Sequence, residues 1–157
     1  MRYWLSMIVT IAWGLWFGGQ VTLFLTVTTL FKTFSTRRDI FGEAGNATFH
    51  AFEKYQLIVA AVALVGTVLW AASGRAAVKT ALFTLLALAA IGATCGTIFI
   101  TPRIDAMRVA HQTTTPEFSQ LHGRSMMVYM CETTLLLIGG ILLPLGFRSD
   151  AQKSPSA

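Results

Sequence analysis

Four long apolar stretches, at about 5–31, 49–72, 76–100 and 120–147, are separated by one short polar break and two longer ones. A helix of roughly 20 apolar residues crosses a hydrocarbon core of about 30 Å. Each stretch meets that length, and the first, at about 40 Å, is long enough to tilt or protrude. The pattern predicts an all-α fold, an integral membrane four-helix bundle occupying residues 1–147. Its connections are a tight turn at 73–79 and polar stretches at 32–48 and 103–114, with a disordered tail at 148–157. Four spans put both termini and the tight turn on one side of the membrane. His50, Glu53, His111 and His122 then lie toward the other side.

Within the spans the periodicity separates faces. The first helix carries a small-and-hydroxyl stripe, Gly18, Thr22, Thr26, Thr29 and Thr33. Its aromatic stripe is Trp13, Phe17, Gln20, Phe24, Val27 and Phe31. Small residues four apart let helix backbones approach closely, so the Gly–Thr stripe is expected to be a packing face. Asn46 is placed as the N-cap of the second helix. In the third, Gly92 and Gly96 form a GxxxG packing signal. Pro102 is expected to end that span, followed by an exposed Asp105–Arg108 pair and a solvated His111.

The fourth helix has the clearest start, Thr115-Pro116-Glu117: an N-cap, proline in the first turn and an acid beside it. From there Phe118, His122, Ser125, Tyr129, Glu132 and Leu136 recur at steps of four and three, on one face. They share it only if the helix runs unbroken through Gly123. Glu132 is the sharpest residue, because a carboxyl in an apolar span should face the bundle interior and find a donor. Gln20 or a threonine of the first helix is the expected partner. His50 and Glu53 are i,i+3 neighbours at the start of the second helix. The candidate polar site is therefore His122, Ser125, Tyr129, Glu132, His50, Glu53 and Gln20. Two readings compete for Glu132: a structural hydrogen bond between helices, and a proton or ligand site, with His122 and Tyr129 above it on the same face as the members of a proton relay. Alternatively, His50 and His122 could act as two imidazole ligands for haem or copper.

Composition narrows the class. Hydrophobic residues make up 54% of the 157 and charged ones 12%, against about 25% in soluble proteins. The net charge of +5 sits in the connections without basic clusters, which argues against nucleic acid as a partner. Cys95 and Cys131 fall in spans and suggest no disulfide. The first span is too long for a signal-peptide core and lacks an A-x-A-like cleavage site, so it reads as uncleaved. No nucleophile motif, phosphate loop or HExxH is present, and nothing points to an enzyme.

The stretch Phe118-x-x-x-His122-Gly123-x-Ser125, after Pro102-Arg103, resembles the transmembrane protein 205-like family of unknown function. Gly18-Gly19, Phe24, Phe31 and the Phe41-Gly42-x-Ala44-Gly45 connection extend the resemblance from about Trp13 to Leu145. It implies a small multi-pass membrane protein with no established reaction and a eukaryotic relative associated with drug resistance; in a bacterium its place would be the inner membrane. The layout is also remotely similar to copper-resistance D-like and haem-binding four-span proteins, an analogy of fold alone. The expectation is a non-enzymatic module in the lipid bilayer that binds or moves a small solute, ion or proton. The alternatives are a haem- or metal-binding redox protein, and a structural partner forming a homo-oligomer or joining another membrane protein.

Overall fold

The computed structural model describes residues 2–74 and 76–151, and they form an all-α bundle. The helices are α1 (Arg2–Thr33), α2 (Arg38–Ala72), α3 (Ala77–Cys95), α4 (Thr101–Val109) and α5 (Pro116–Ala151), with a π-helical turn, Gly96–Ile100, joining α3 to α4. With α3, the π turn and α4 taken as one unit, four helices are long and apolar enough to cross a membrane. α1 packs on α2 and α3 on α5; α2–α3 and α1–α5 contacts close the ring, and the α1–α5 seam is the least extensive.

The inward positions follow the three-four rhythm of near-parallel helix packing. They are Val9, Ala12, Trp16 and Gln20 on α1, and Glu53, Gln56, Ala60, Ala63, Thr67 and Trp70 on α2. α3 contributes Leu82, Leu86, Ala89 and Ala93, and α5 contributes Glu132, Leu136, Gly139 and Leu143. The exterior is apolar, with Ile58, Val65, Ile91 and Ile141 well exposed. An apolar outside around a core that holds Gln, Glu and Lys fits a lipid environment and not water.

Four local expectations need correction. The polar stretch 38–48 is helical, and Asn46 lies inside α2 instead of capping it. Pro102 does not end the third span. Proline lacks an N–H and collides with the carbonyl four residues back, and the π turn relieves both problems by widening the backbone. The Thr101 N–H accordingly bonds to the Gly96 carbonyl, five residues earlier. The tail expected at 148–157 is still helix through Ala151, held by Asp150, whose side chain bonds to Trp70 and Lys79. Residue 75 of the tight turn and residues 152–157 lie outside the described residues. Finally, the Gly18–Thr22 stripe is not a packing face within the chain. Gly18 has nothing within 4 Å of where a Cβ would stand, and α1 turns Val9, Ala12, Trp16, Gln20 and Leu23 inward, while Phe24 and Phe31 of the aromatic stripe stay exposed. Close approach occurs one residue later, at Gly19, against Tyr55 and Phe52.

Candidate functional site

α5 is unbroken through Gly123, so the stripe from Phe118 to Leu136 keeps one phase and turns Glu132 into the bundle. Glu132 is 4% exposed and accepts a hydrogen bond from Gln20 Nε2 at 3.0 Å. Gln20, at 0% exposure, is the hub of a small network. Its Nε2 also approaches Gln56 Oε1 at 3.5 Å, and its Oε1 accepts from the Thr133 hydroxyl at 3.4 Å. The Tyr129 hydroxyl donates to the Gln20 backbone carbonyl. Gly92 of α3 makes room for the carboxyl, since a Cβ there would stand 3.2 Å from Glu132 Cγ.

A second buried acid lies on the facing helix. Glu53 is 3% exposed, and the Thr101 hydroxyl donates to its Oε1 at 2.5 Å. A continuous α-helix from Ala93 would bring Ile100 near the inward phase. The residue that the π turn adds brings in Thr101 instead. Toward the surface, His50 Nδ1 is 3.4 Å from Glu53 Oε2, and its Nε2 is 3.0 Å from Asp105 Oδ2. Asp105 thus pairs with His50 and not with Arg108, whose guanidinium donates to the Gly42 carbonyl at 2.8 Å. Among the described residues no lysine or arginine reaches the carboxyl of Glu53 or Glu132.

His122 and Ser125 occupy a different place. They line a cavity of about 410 Å³ between α1, α2, α4 and α5, together with Tyr129, Thr101 and Arg108. The His122 ring stacks on Phe118, centroids 6.1 Å apart and planes within 2°. Tyr129 lines the same cavity and gives its hydroxyl to the Gln20 carbonyl, with no hydrogen bond to His122 among the described residues. Both nitrogens of His50 face carboxylates, and it does not line the cavity that holds His122. That arrangement does not fit two imidazoles on one haem or copper ion. His111 is exposed, with a φ of 57° in the turn before α5.

The structure therefore divides the expected site into a buried network (Gln20, Glu53, Glu132, with His50 at its outer edge) and a cavity wall (His122, Ser125), with Tyr129 touching both. Sequence reasoning missed Gln56, Thr101, Thr133 and Arg108. Gln56 had a signal, as an amide three residues after Glu53 in an apolar run. No curated protein and no solved structure matches the chain. The family model described as a domain of unknown function, DUF4149, matches residues 11–113, from α1 through the turn after α4, and the chain belongs to that family.

Proposed function

We propose that the protein is a non-enzymatic membrane module that binds and exchanges protons at a buried site built from Glu53, Glu132 and the Gln20–Gln56 amides. One observation carries the reading: two carboxyls on facing helices are buried with hydroxyl and amide donors and, among the described residues, no lysine or arginine beside them. Carboxyls kept inside a membrane bundle without a fixed countercharge are a recurrent arrangement of proton and solute pathways. His50 and Asp105 supply the link from the surface to Glu53, and Gln20 links the α2 side to Glu132. Glu132 and Tyr129 lie beyond the matched family range, as does the Phe118–Ser125 stretch that carries much of the resemblance to the transmembrane protein 205-like family. A second reading, as an assembly partner, is supported by the open Gly18 face of α1.

Purified protein in liposomes, with a pH-sensitive dye inside and an imposed potential, tests the first reading. Wild-type vesicles should take up protons faster than empty ones. Glu132→Gln, which keeps a hydrogen-bonding group of the same shape, should abolish the difference while the protein stays folded. Wild-type flux no faster than that of empty vesicles, or full flux in Glu132→Gln, ends the proposal.

A further inference from the structure

The cavity beside the buried network has an uneven lining that the proton reading does not use. One wall is apolar and aromatic, with Phe24, Val27 and Phe31 of α1 facing Phe41 and Phe49 of α2. Arg108 of α4 and His122 of α5 also line it, and no aspartate or glutamate is among the described residues that do. Both polar groups are held in place. One terminal nitrogen of Arg108 is tied to the Gly42 carbonyl at 2.8 Å, and the His122 ring lies flat on Phe118. The fork still has capacity: the bond to Gly42 occupies one terminal nitrogen and leaves the other without a partner, while Nε is buried out of reach with none. A guanidinium with unused terminal N–H groups is well suited to an anionic oxygen. The apolar walls, in turn, call for hydrocarbon.

We propose that this cavity binds a single-chain anionic amphiphile. Its acyl chain lies along Phe24, Phe31 and Phe49, and its anionic oxygens accept from Arg108 beside His122. The volume of about 410 Å³ lies at the lower end of the roughly 300–1,000 Å³ usual for small-molecule sites, which favours one chain over two. The α1–α5 seam, the least extensive of the four, is the side from which a chain in the bilayer would enter. Anionic oxygens could come from a free fatty acid or from a phospholipid with one chain inserted, and the two share the recognition chemistry.

The proposal is independent of proton exchange, so binding should persist in Glu132→Gln. The probe is cis-parinaric acid, a fluorescent fatty acid, titrated into the full chain in a neutral detergent. We expect one bound molecule per chain, with at least tenfold weaker binding in Arg108→Gln. Dodecanol should compete at least tenfold less well than laurate, because it has the chain without the charge. Displacement by palmitate assigns a free carboxylate as the source, and displacement by phosphatidylglycerol alone assigns a headgroup; either supports the site. Because Arg108→Gln also removes the contact to Gly42, Val27→Trp serves as a second variant, filling the apolar wall without touching the charge. Equal competition by dodecanol and laurate, or unchanged binding in folded Val27→Trp, overturns the proposal.

Discussion

At the end of the bundle that carries the chain termini, Lys79 is fully buried, with its ammonium 2.7 Å from Asp150 Oδ1 and 4.8 Å above the Trp70 ring. The Trp70 indole donates to the other oxygen of Asp150 at 2.6 Å, and its backbone carbonyl accepts from Lys79 at 3.4 Å. At the opposite end Arg108 and His122 stand along an open cavity, and the guanidinium keeps a buried N–H without an acceptor. Both ends hold a basic side chain on a backbone carbonyl and set a ring against a neighbour: Lys79 on the Trp70 carbonyl and over its indole, Arg108 on the Gly42 carbonyl with His122 stacked on Phe118. One set joins α2, α3 and α5 through Trp70, Lys79 and Asp150, whereas in the other Arg108 bonds to Gly42 and His122 stacks on Phe118 with donor capacity unspent. Closure of that kind stabilises a fold, and unspent capacity beside a cavity is what a ligand needs.

The largest expected effect tests the closed end. Lys79→Met removes the ammonium that sits 2.7 Å from the partly buried Asp150 carboxylate, and breaking a buried pair costs about 3–5 kcal/mol. Asp150 keeps some exposure, its side chain being at 17%, so a loss near the lower end is expected by thermal unfolding in detergent. Adding Asp150→Leu should recover much of it, since an apolar pair can replace a buried ion pair. A loss below about 1 kcal/mol in the single variant would show that the closed end is no clamp.

A smaller effect is expected at the middle of the bundle, where Glu132→Leu removes the acceptor of Gln20 Nε2. A buried amide left unsatisfied costs about 1–3 kcal/mol. Gln56 Oε1 at 3.5 Å can take up part of that donor, so about 1 kcal/mol is the expectation. Glu132→Gln should cost less than Glu132→Leu. The reverse order of stability, measured in the same unfolding assay, would mean that the network is dispensable to the fold.

Why the closed end escaped the sequence reading is a matter of distance. Lys79 and Asp150 are 71 positions apart, and each taken alone resembles a charge at a helix end. The four spans are legible because an uninterrupted apolar run of that length has few other solutions. Which way a helix faces is much less legible, since lipid and protein interior are both apolar and small residues can serve either. Only polar residues break that symmetry. For this reason the sequence offers Gln20 or a threonine of the first helix as the partner of Glu132, and in the structure the bond comes from Gln20. The glycine-and-threonine stripe of α1 carries no such marker, and it lies outward. Thr101 was hidden because proline normally stops a helix, and the π turn that carries the chain past Pro102 has no sequence signature of its own.

The smallest expected effect lies on that outward stripe. Gly18 is exposed, and a Cβ added there would meet nothing within 4 Å, so Gly18→Leu should leave monomer stability unchanged within about 0.5 kcal/mol. Gly19→Leu should be costly by comparison, because its Cβ would come within 2.9 Å of the Tyr55 ring, which is itself tied by its hydroxyl to the Leu15 carbonyl at 2.9 Å. Adjacent glycines with opposite outcomes would show that α1 packs through one edge and leaves the next one open. The pair also separates the two functional readings. Gly14, Gly18, Thr22 and Thr26 line a shallow crevice with Phe52 and Tyr55 of α2, the sort of small-residue surface on which a second transmembrane helix can pack closely. If Gly18→Leu is silent in stability and also leaves mass in detergent and crosslinking in membranes unchanged, the open face meets lipid and the assembly reading falls. If stability is unchanged but a larger assembly is lost, the open edge of α1 is an interface. Bundle stability and assembly would then be carried by faces one residue apart on the same helix.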